Sequence, residues 1–334
     1  MRNLFRGLLC GGALLTMCAG AAAQSLSYNS GQSVAPAYEG WEEDADGTKY
    51  FVLGYMNRNW EEEIDVPVGP ANGFSPGNPD MGQPTHFLPR RNRFIFRVKV
   101  PAAFTEKDEL VWTLTTNGKT EKAYASLRGD YKVDDVLKAS ENGSLGAGSS
   151  SPEIRSNTPP KVVVQGPKNL TAKVGQPIAL TALVTDDGIP KRGGLGGVPN
   201  LAAAAAAAAG RSGPASATGA APAAPAAAAR GVNREMLPPY RITVGKNLGL
   251  HLSWFVYRGA GQVVFDPIQV KTWEDTRAGA NSPWAPIWTP PNMPADGKVT
   301  ARATFSEPGT YVLRGMADDG ALLGWDEVTV TVTK

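Results

Sequence analysis

The two cysteines of this chain, Cys10 and Cys18, both lie within its first twenty residues. They fall in a segment with the layout of an export signal, in which Arg2 and Arg6 precede an apolar run that ends in small residues at Ala23. The run is shorter than the about 20 residues that a membrane-spanning helix needs. We therefore expect cleavage after Ala23 and an exported chain without cysteine. Such a chain must fold on packed cores, without disulfides or cysteine-bound zinc.

Charge and hydropathy limit the partners and the location. The chain has 33 Lys plus Arg against 31 Asp plus Glu, so it lacks the basic excess that is typical of nucleic-acid binding. No second apolar run is long enough to form a transmembrane segment in the mature chain. A lipid anchor on Cys18 is the alternative, but Met17 stands where a lipobox has a small residue. We expect a periplasmic, outer-surface or secreted protein with a protein or glycan partner at the envelope.

Residues 24–137 predict a β-sandwich domain. The segment 49–56 is aromatic and apolar, and the segment 92–100 alternates charged and apolar residues, with an imperfect register at Ile95. The pair Asn117-Gly118 separates two strand-like runs, which is the strongest short-range signal for a β-hairpin.

Two segments of this half are rich in loop-forming residues. Residues 69–89 are dense in Gly, Pro and Asn, and so long a loop in a compact domain is either functional or poorly ordered. Residues 138–160 are rich in Ser, Gly and Asn and end in Pro159-Pro160. That composition predicts a flexible linker between two domains.

Residues 161–334 again predict an all-β domain, interrupted by an insertion at 191–236. The insertion is rich in Ala, Gly and Pro and contains eight consecutive alanines from Ala202, so we expect it to be disordered or loosely helical. Short β-branched runs predict seven strands, at 161–174, 177–185, 248–257, 263–272, 299–305, 310–316 and 327–333.

Several blocks of the second half resemble a known family. They read PPKVVV, VGQPIALTALVTDDG, LSWFVYRGAGQVVFD, ATFSEPGTYVLRGMADDG and DEVTVTV, and the spacing of PGTYVLR before ADDG is the most specific feature. Residues 159–334 thus resemble a PKD-type or bacterial Ig-like domain. The resemblance implies a β-sandwich in an extracellular or envelope setting, and no shared catalytic residues. The insertion and the Trp- and Pro-rich segment 273–294 depart from the family.

The predicted strand order places the long connections together. In an Ig-like sandwich, the loops cluster at the two ends, and the second–third, fourth–fifth and sixth–seventh connections share one end. These connections hold the Ala-rich insertion, the Trp-rich segment and the turn before the last strand, which favours a loop-based binding surface. The alternative is that insertions are tolerated wherever they cost little.

Tryptophan is the main candidate for ligand contact. Trp112 and Trp254 stand within predicted strands and are core candidates. Indole rings exposed on loops can stack on sugar rings, which gives the alternative of a carbohydrate-binding module. The candidate ligand-binding residues are Trp273, Trp284, Trp288 and Trp325.

Two Asp-Asp-Gly sequences follow predicted strands that run in the same direction. Asp186 and Asp187 follow the second strand of the sandwich, and Asp318 and Asp319 follow the sixth. Calcium takes six to eight oxygen ligands, so four carboxylates at one end predict a calcium site. The alternative is turn chemistry, because Asp before Gly is itself a turn signature. We expect no other cofactor.

The sequence contains few residues or motifs that could serve in catalysis. The only histidines are His86 in the long loop and His251 in a predicted strand, and no nucleophile elbow, zinc-protease motif or P-loop is present. An acidic run at 61–65 and the arginines of 90–97 predict facing strands with complementary charge. We predict a non-catalytic binding or structural protein of the envelope or cell surface. An enzyme with a site near His86 is the second alternative, after the carbohydrate-binding module.

Overall fold

The computed structural model describes residues 28–142, 152–191, 249–273 and 292–334. Within these ranges the chain is all-β, with strands grouped in several open sheets and only short helices. The predicted signal segment 1–23 lies outside the described residues, as does nearly all of the predicted insertion 191–236. In the described part of the chain, no helix has the length and apolar character that crossing a membrane requires.

The first domain contains eight strands in two three-stranded sheets and one short pair. The sheet orders are β1-β2-β6, β4-β7-β8 and β3-β5. The strands are β1 (Val34–Glu43), β2 (Lys49–Asn57), β3 (Ile64–Asp65), β4 (Asn72–Ser75), β5 (His86–Phe87), β6 (Arg90–Lys99), β7 (Leu110–Thr116) and β8 (Lys119–Ala125).

Aromatic side chains form the centre of the first core. Trp112 on β7 is fully buried, and its ring stacks on Phe74 with 5.7 Å between centroids and meets Phe96 edge-on at 5.1 Å. Such aromatic pairs contribute about 0.5–1.5 kcal/mol beyond the burial of their area. The indole Nε1 of Trp112 donates to Asn72 Oδ1 at 2.9 Å, so the ring is buried without leaving its donor unpaired. The core position predicted for Trp112 is confirmed.

The hairpin predicted at Asn117-Gly118 joins β7 and β8. Thr116 pairs with Lys119 across the turn, and the φ angles of Asn117 and Gly118 are 48° and 73°. Positive φ at both central residues is the geometry of a type I′ turn, whose twist matches that of the flanking strands. The prediction of this hairpin is confirmed.

A β-bulge explains the imperfect alternation around Ile95. The pairing of β2 with β6 shifts register between Leu53 and Tyr55, and Phe94 has a φ of 53°. Leu53 pairs with Phe96 and Tyr55 with Asn92, so β6 has two extra residues at this point, and such an irregularity changes where the side chains point. Ile95 and Phe96 therefore both pack in the main core of the first domain although they are consecutive, and Phe94 is buried in a separate small cluster.

In its described residues, the second domain has eight strands, preceded by a 3-10 turn at Gly129–Tyr131 and two short helices, α1 (Asp135–Glu141) and α2 (Pro152–Ser156). The first predicted strand is divided in two, and the other six predicted strands are present with shifted ends. The strands are β9 (Lys161–Val164), β10 (Asn169–Lys173), β11 (Ile178–Thr185), β12 (His251–Arg258), β13 (Val263–Asp266), β14 (Lys298–Phe305), β15 (Gly309–Asp318) and β16 (Leu323–Thr333).

Two four-stranded sheets give this domain an immunoglobulin-like strand order. One sheet has the order β13-β14-β11-β9 and the other β10-β16-β15-β12. In immunoglobulin notation, β9 and β10 are the two parts of strand A, and β11 to β16 are strands B to G. β10 crosses to the second sheet and pairs there in parallel with β16. The predicted β-sandwich is confirmed.

Two aromatic residues of the second core match hallmarks of immunoglobulin-like sandwiches. Trp254 on β12 is 1 % exposed and packs between the sheets. Tyr311, near the start of β15, donates from its Oη to Glu307 O at 2.9 Å. A tyrosine at this corner bonded to the backbone just upstream is the tyrosine corner of this fold.

The two domains pack against each other through the outer face of β12 and β15. Trp254 and Val256 point into the second core, whereas the alternating Phe255 and Tyr257 belong to the core of the first domain, together with Met316 of β15. Because successive side chains of a strand point to opposite faces, β12 is buried on both faces. An apolar interface therefore joins the two domains.

Arg314 is the buried charge at this interface, with 2 % of its surface exposed. Its Nη1 donates to Ile95 O of the first domain, and its Nε donates to Glu327 Oε1 at 2.8 Å. The guanidinium carbon lies 3.6 Å from the ring centroid of Tyr257 and 5.0 Å from that of Trp325. A carboxylate, a carbonyl and two aromatic faces thus compensate its desolvation.

The long loop at 69–89, called the docking loop below, is held by two buried amide side chains. Asn72 Nδ2 donates to Val66 O at 2.9 Å and to Pro84 O at 2.8 Å. Gln83 Nε2 donates to Asn72 O at 3.2 Å. These bonds supply side-chain donors to carbonyl groups of an irregular backbone, which allows the loop to be buried.

The docking loop contacts the C-terminal end of β12. Arg258 binds the two carboxylate oxygens of Asp80 at 2.7 Å and 3.1 Å. Thr85 accepts at Oγ1 from Gly259 N at 3.0 Å and donates from its backbone N to Tyr257 O at 3.2 Å. The loop is therefore an ordered contact between the domains.

The described part of the predicted flexible linker, 138–160, includes the end of α1 and all of α2. Ile154 of α2 is 2 % exposed and packs with Ala321 and Leu322. Asn142 Nδ2 donates to Ala321 O at 2.9 Å. This part of the segment packs on the second domain through two buried apolar residues, Ala139 and Ile154, which a linker-like average composition conceals. The domain boundaries stay a prediction.

Candidate functional site

A cleft of about 190 Å³ lies between the two domains, beside the β15–β16 turn. Strand β6 and the end of β2 supply one wall, and the segment after β13 supplies the other. Met316 and Leu323 contribute apolar surface. The polar and aromatic lining comprises Trp60, Arg90, Arg91, Asn92, Arg93, Asn142, Thr272 and Trp273.

Two arginines of β6 pair with acidic residues of β1. Arg91 Nη2 donates to Glu39 Oε2 at 2.7 Å, and Arg97 Nε lies 2.5 Å from Glu42 Oε1. For these two arginines the predicted pairing with the acidic run at 61–65 was wrong, because β2 lies between β1 and β6 and the long arginine side chains reach across it.

Gly54 on β2 leaves room for this pairing. A Cβ atom there would lie 2.3 Å from Glu39 Oε1, so a side chain at position 54 would displace the carboxylate. Burial raises the pKa of Glu39, while the charge and hydrogen bond of Arg91 act in the opposite direction. The buried carboxylate fixes where Arg91 lies at the cleft.

Cations lie over both indole rings of the cleft. The guanidinium carbon of Arg90 is 3.9 Å from the ring centroid of Trp60, and Lys271 Nζ is 5.2 Å from that of Trp273. Both distances are within the range of cation–π attraction. Arg93 Nη1 donates to Glu141 O at 2.8 Å. The cleft thus combines aromatic surface with several fixed positive charges.

The predicted ligand-binding tryptophans do not form one surface in the described structure. Trp273 lies in the cleft, where it is partly buried against the first core. Trp325 lines a second cavity of about 240 Å³. Trp284 and Trp288 lie outside the described residues, so their role in ligand binding stays a prediction.

The second cavity has charges that are already paired. Glu42 accepts a hydrogen bond from Lys138 and lies against Arg97, and Phe94 and Leu322 contribute apolar wall. A mutually neutralised group of this kind offers less to a charged or polar ligand than the cleft does.

The two Asp-Asp-Gly turns lie at one end of the second sandwich, as the strand order predicts. Asp187 Oδ2 accepts from Thr158 N at 2.9 Å and from Thr158 Oγ1 at 2.8 Å. Asp319 Oδ2 accepts from Asn157 Nδ2 at 3.1 Å. The consecutive residues Asn157 and Thr158 thus bond to one turn each. These bonds hold the segment that leads into β9 between the two turns.

These aspartates make the hydrogen bonds of turns. Asp186 Oδ2 accepts from Gly188 N at 2.9 Å, and Asp318 Oδ1 accepts from Gly320 N at 2.8 Å. Burial raises the pKa of Asp319 to about 7, against the effect of its hydrogen bonds. The described residues contain no group of three or more His, Cys, Asp or Glu side chains that could hold a metal ion. The predicted calcium site gains no support and stays a prediction.

His86 is a buried, doubly bonded histidine. Its Nδ1 lies 2.7 Å from Asp65 Oδ1, and its Nε2 lies 3.0 Å from Glu63 Oε2. Burial lowers its pKa, but the hydrogen bonds and charges of the two carboxylates outweigh burial and raise the pKa to about 9. The two carboxylates thus favour the protonated form of the ring. His251 is also buried, with Nδ1 2.9 Å from Gly249 O.

Three residues of the cleft were not singled out from the sequence: Trp60, Asn92 and Thr272. Trp60 was noted only as one of several tryptophans, and Thr272 only as the end of a predicted strand. Asn92 interrupts a run of arginines, and that interruption is the one local signal that a polar, uncharged group was needed there. These three residues come together only because the two domains pack against each other, so the sequence alone did not indicate a shared site.

No family model matches the chain, and no curated protein sequence matches it significantly. The adhesin InvE of Yersinia pseudotuberculosis matches 92% of this chain and 61% of its own chain, at 10% identity and a TM-score of 0.23. The S-layer protein SbsC matches 90% of this chain and 28% of its own, at 7% identity and a TM-score of 0.22. The D00-D0 domain of intimin matches 90% of this chain and 100% of its own, at 9% identity and a TM-score of 0.21. Similarities of this size carry no argument about function.

Proposed function

We propose that the protein is an exported, non-catalytic binding module of the cell envelope or cell surface, with the interdomain cleft as its ligand site. The export-signal layout of residues 1–23 supports the location. The immunoglobulin-like strand order supports a PKD-type or bacterial Ig-like module at residues 159–334. The proposal leaves open whether the protein is periplasmic, attached to the outer surface or secreted.

One observation carries the proposal: the cleft lies at the end of the second sandwich where its longest connections begin and end. Trp273, the last described residue before 274–291, lines the cleft. His251, close after the undescribed 192–248, pairs with Asp318 at that same end. A concave site at one end of a β scaffold is a usual place for ligand contacts.

Catalysis is the weaker alternative because of how His86 is bonded. Both ring nitrogens face carboxylates, and the side chain is 7 % exposed. The carboxylates are themselves held near the domain contact, since Asp65 Oδ2 accepts from Gly261 N at 3.4 Å. A structural ion pair accounts for all of these contacts.

Sedimentation with isolated cell envelopes of the native host tests the proposal. The exported chain is expected to sediment with envelopes, and the variants Thr272→Val and Arg93→Gln are expected to sediment several-fold less. Arg302→Gln is the matched control, because Arg302 is exposed on β14 and far from the cleft lining. Equal sedimentation of all four proteins, or none by the parent chain, would refute the assignment of the cleft.

A carbohydrate-binding module is the second candidate, and the position of Trp273 at the cleft favours it. An indole face presents a negative electrostatic surface that attracts the C–H groups of a sugar ring. Binding on a glycan array that is lost in Trp273→Ala would support this candidate. Cross-linking of the cleft to an envelope protein would favour a protein partner.

A further inference from the structure

The second cavity, called the junction cavity below, lies where three parts of the chain meet. Strands β1, β2 and β6 of the first domain form one side, helix α1 forms another, and the β15–β16 turn, the start of β16 and Pro159 form the third. Its volume of about 240 Å³ is larger than that of the cleft, with which it shares Asn142 and Leu323. Its apolar lining comprises Val52, Phe94, Pro159, Leu322, Leu323 and Trp325.

Phe94 lines the junction cavity in an unusual backbone conformation. Its φ is 53°, a left-handed value that bulky L-residues rarely adopt. Its ring is buried with Val52 and Val133, in a small cluster apart from the main core of the first domain. Strain of this kind persists only where surrounding contacts hold the residue, and it is concentrated at binding sites. Phe94 thus indicates a ligand independently of the volume of the cavity.

The charged side chains of the junction cavity neutralise one another. The lining has two carboxylates, Glu42 and Asp135, and two cations, Arg97 and Lys138. Arg97 Nε lies 2.5 Å from Glu42 Oε1, and Lys138 Nζ donates to Glu42 and lies 3.1 Å from Asp135 Oδ1. A charged ligand would have to displace one of these partners or bring an unpaired charge into a partly buried site, which is unfavourable. The lining therefore favours an uncharged ligand.

Volume and lining also restrict the size and shape of the ligand. An apolar cavity of about 150 Å³ holds one benzene molecule, whereas sites for drug-sized molecules have about 300–1,000 Å³. The junction cavity, at about 240 Å³, lies between these limits and fits one ring with a small substituent. Phe94 and Trp325 supply aromatic surface, which attracts another aromatic ring through offset or edge-to-face contacts.

We propose that the junction cavity binds a small uncharged molecule that has one aromatic ring. The ring lies against Phe94, Leu322 and Trp325, and the substituent faces the paired charges of Glu42 and Lys138. Because Phe94 belongs to the first domain and Trp325 to the second, the bound molecule contacts both domains and stabilises their packing. The inference goes beyond the proposed function and does not require that the cleft bind an envelope ligand.

Three probes of similar shape and different charge test the ligand class: benzamide, benzoate and benzamidinium. Their binding to the full exported chain is measured by titration in saturation-transfer NMR. We expect benzamide to bind about tenfold more tightly than either ion, because burial of an unpaired charge is unfavourable. The melting temperature should also rise by about 3 °C at a benzamide concentration ten times its Kd. Equal binding of all three probes, or binding of none, would overturn the inference.

Phe94→Leu tests the aromatic contact, because it keeps an apolar side chain and removes the ring. We expect benzamide to bind about fivefold more weakly to this variant. Phe104→Leu is the matched control, since Phe104 packs edge-on against Phe51 and does not line the junction cavity. It should leave binding within about twofold. Equal effects of the two substitutions would contradict the assignment of the cavity.

Lys138→Met tests the charge balance, because it leaves two carboxylates and one cation in the lining. The affinity ratio of benzamidinium to benzamide should rise about fivefold in this variant. Lys132→Met removes a comparable ion pair, with Glu43 at 3.0 Å, outside the lining and should leave the ratio unchanged. An unchanged ratio in Lys138→Met would refute the role of the paired charges. Benzamide binding that disappears as the chain forms dimers in sedimentation equilibrium would instead assign the cavity to a second copy.

Discussion

The docking loop and the cleft both lie between the same two domains. Polar atoms of the docking loop have hydrogen-bond partners in the other domain, whereas two polar atoms at the cleft have none in the described structure. At the docking loop, Thr85 Oγ1 accepts from Gly259 N and Arg258 binds Asp80 through both carboxylate oxygens. In the cleft, Asn92 Oδ1 and Thr272 Oγ1 have no partner among the described residues. A buried polar group left unpaired costs about 1–3 kcal/mol. The first contact thus stabilises the protein, and the second leaves two buried polar atoms without a compensating bond.

Removal of Arg314 should have the largest effect, because this residue bonds to both domains. We expect Arg314→Ala to lower the free energy of unfolding by about 2–3 kcal/mol, since it leaves Ile95 O unpaired and removes the partner of Glu327, which is itself 37 % exposed. Urea denaturation measures this difference. Arg302→Ala, an exposed control, should change the stability by less than about 0.5 kcal/mol. A loss below about 1 kcal/mol for Arg314→Ala would show that the interface does not depend on it.

High pH should weaken the docking side alone, through His86. The pKa of His86 is raised from 6.5 to about 9 in the folded protein. Its ion pairs therefore contribute fully below about pH 6.5 and are lost as the pH rises through about 9. We expect a loss of about 1–2 kcal/mol, less than the full shift implies, because Glu63 and Asp65 are 47 % and 37 % exposed.

Urea denaturation at pH 6.5 and pH 9.5 measures this loss. The variant His86→Gln should flatten the pH dependence, whereas His251→Gln serves as the control for the other histidine. A pH dependence unchanged by His86→Gln would assign it to other groups.

The smallest expected effect is a difference in stability between two threonine-to-valine variants. Thr85→Val should cost about 1 kcal/mol, because Gly259 N loses its acceptor. Thr272→Val should change the stability by less than about 0.5 kcal/mol or raise it, because an unpaired buried hydroxyl is replaced by a methyl group of similar shape. Thermal unfolding of both variants side by side measures the contrast. Equal losses would remove the distinction between the two contacts.

The sequence predicted the elements whose signals are local. The Asn117-Gly118 hairpin, the core positions of Trp112 and Trp254, and the common end of the Asp-Asp-Gly turns all follow from turn chemistry, side-chain period or strand order. Each of these signals lies within a few residues or follows from a regular topology, so no knowledge of domain packing was needed.

The remaining features depend on contacts between distant residues. The pairing of Arg91 with Glu39 requires that Gly54 lie between them, and the cleft requires that Asn92 and Thr272 meet across the interface. Composition over 69–89 indicated a loop but could not indicate that its polar groups would be satisfied inside a domain contact. The packing of two domains depends on surfaces that residues distant in the sequence form together. A local sequence pattern therefore does not predict it.

The parallel pairing of β10 with β16 has a mechanical consequence. Asn169–Lys173 pairs with 329–333 over five successive positions. A pull on the C-terminus against the first domain acts along these strands, so it loads the five pairs together instead of opening them one at a time. Resistance of the second domain to such a load would therefore depend on how fast this pair of strands separates.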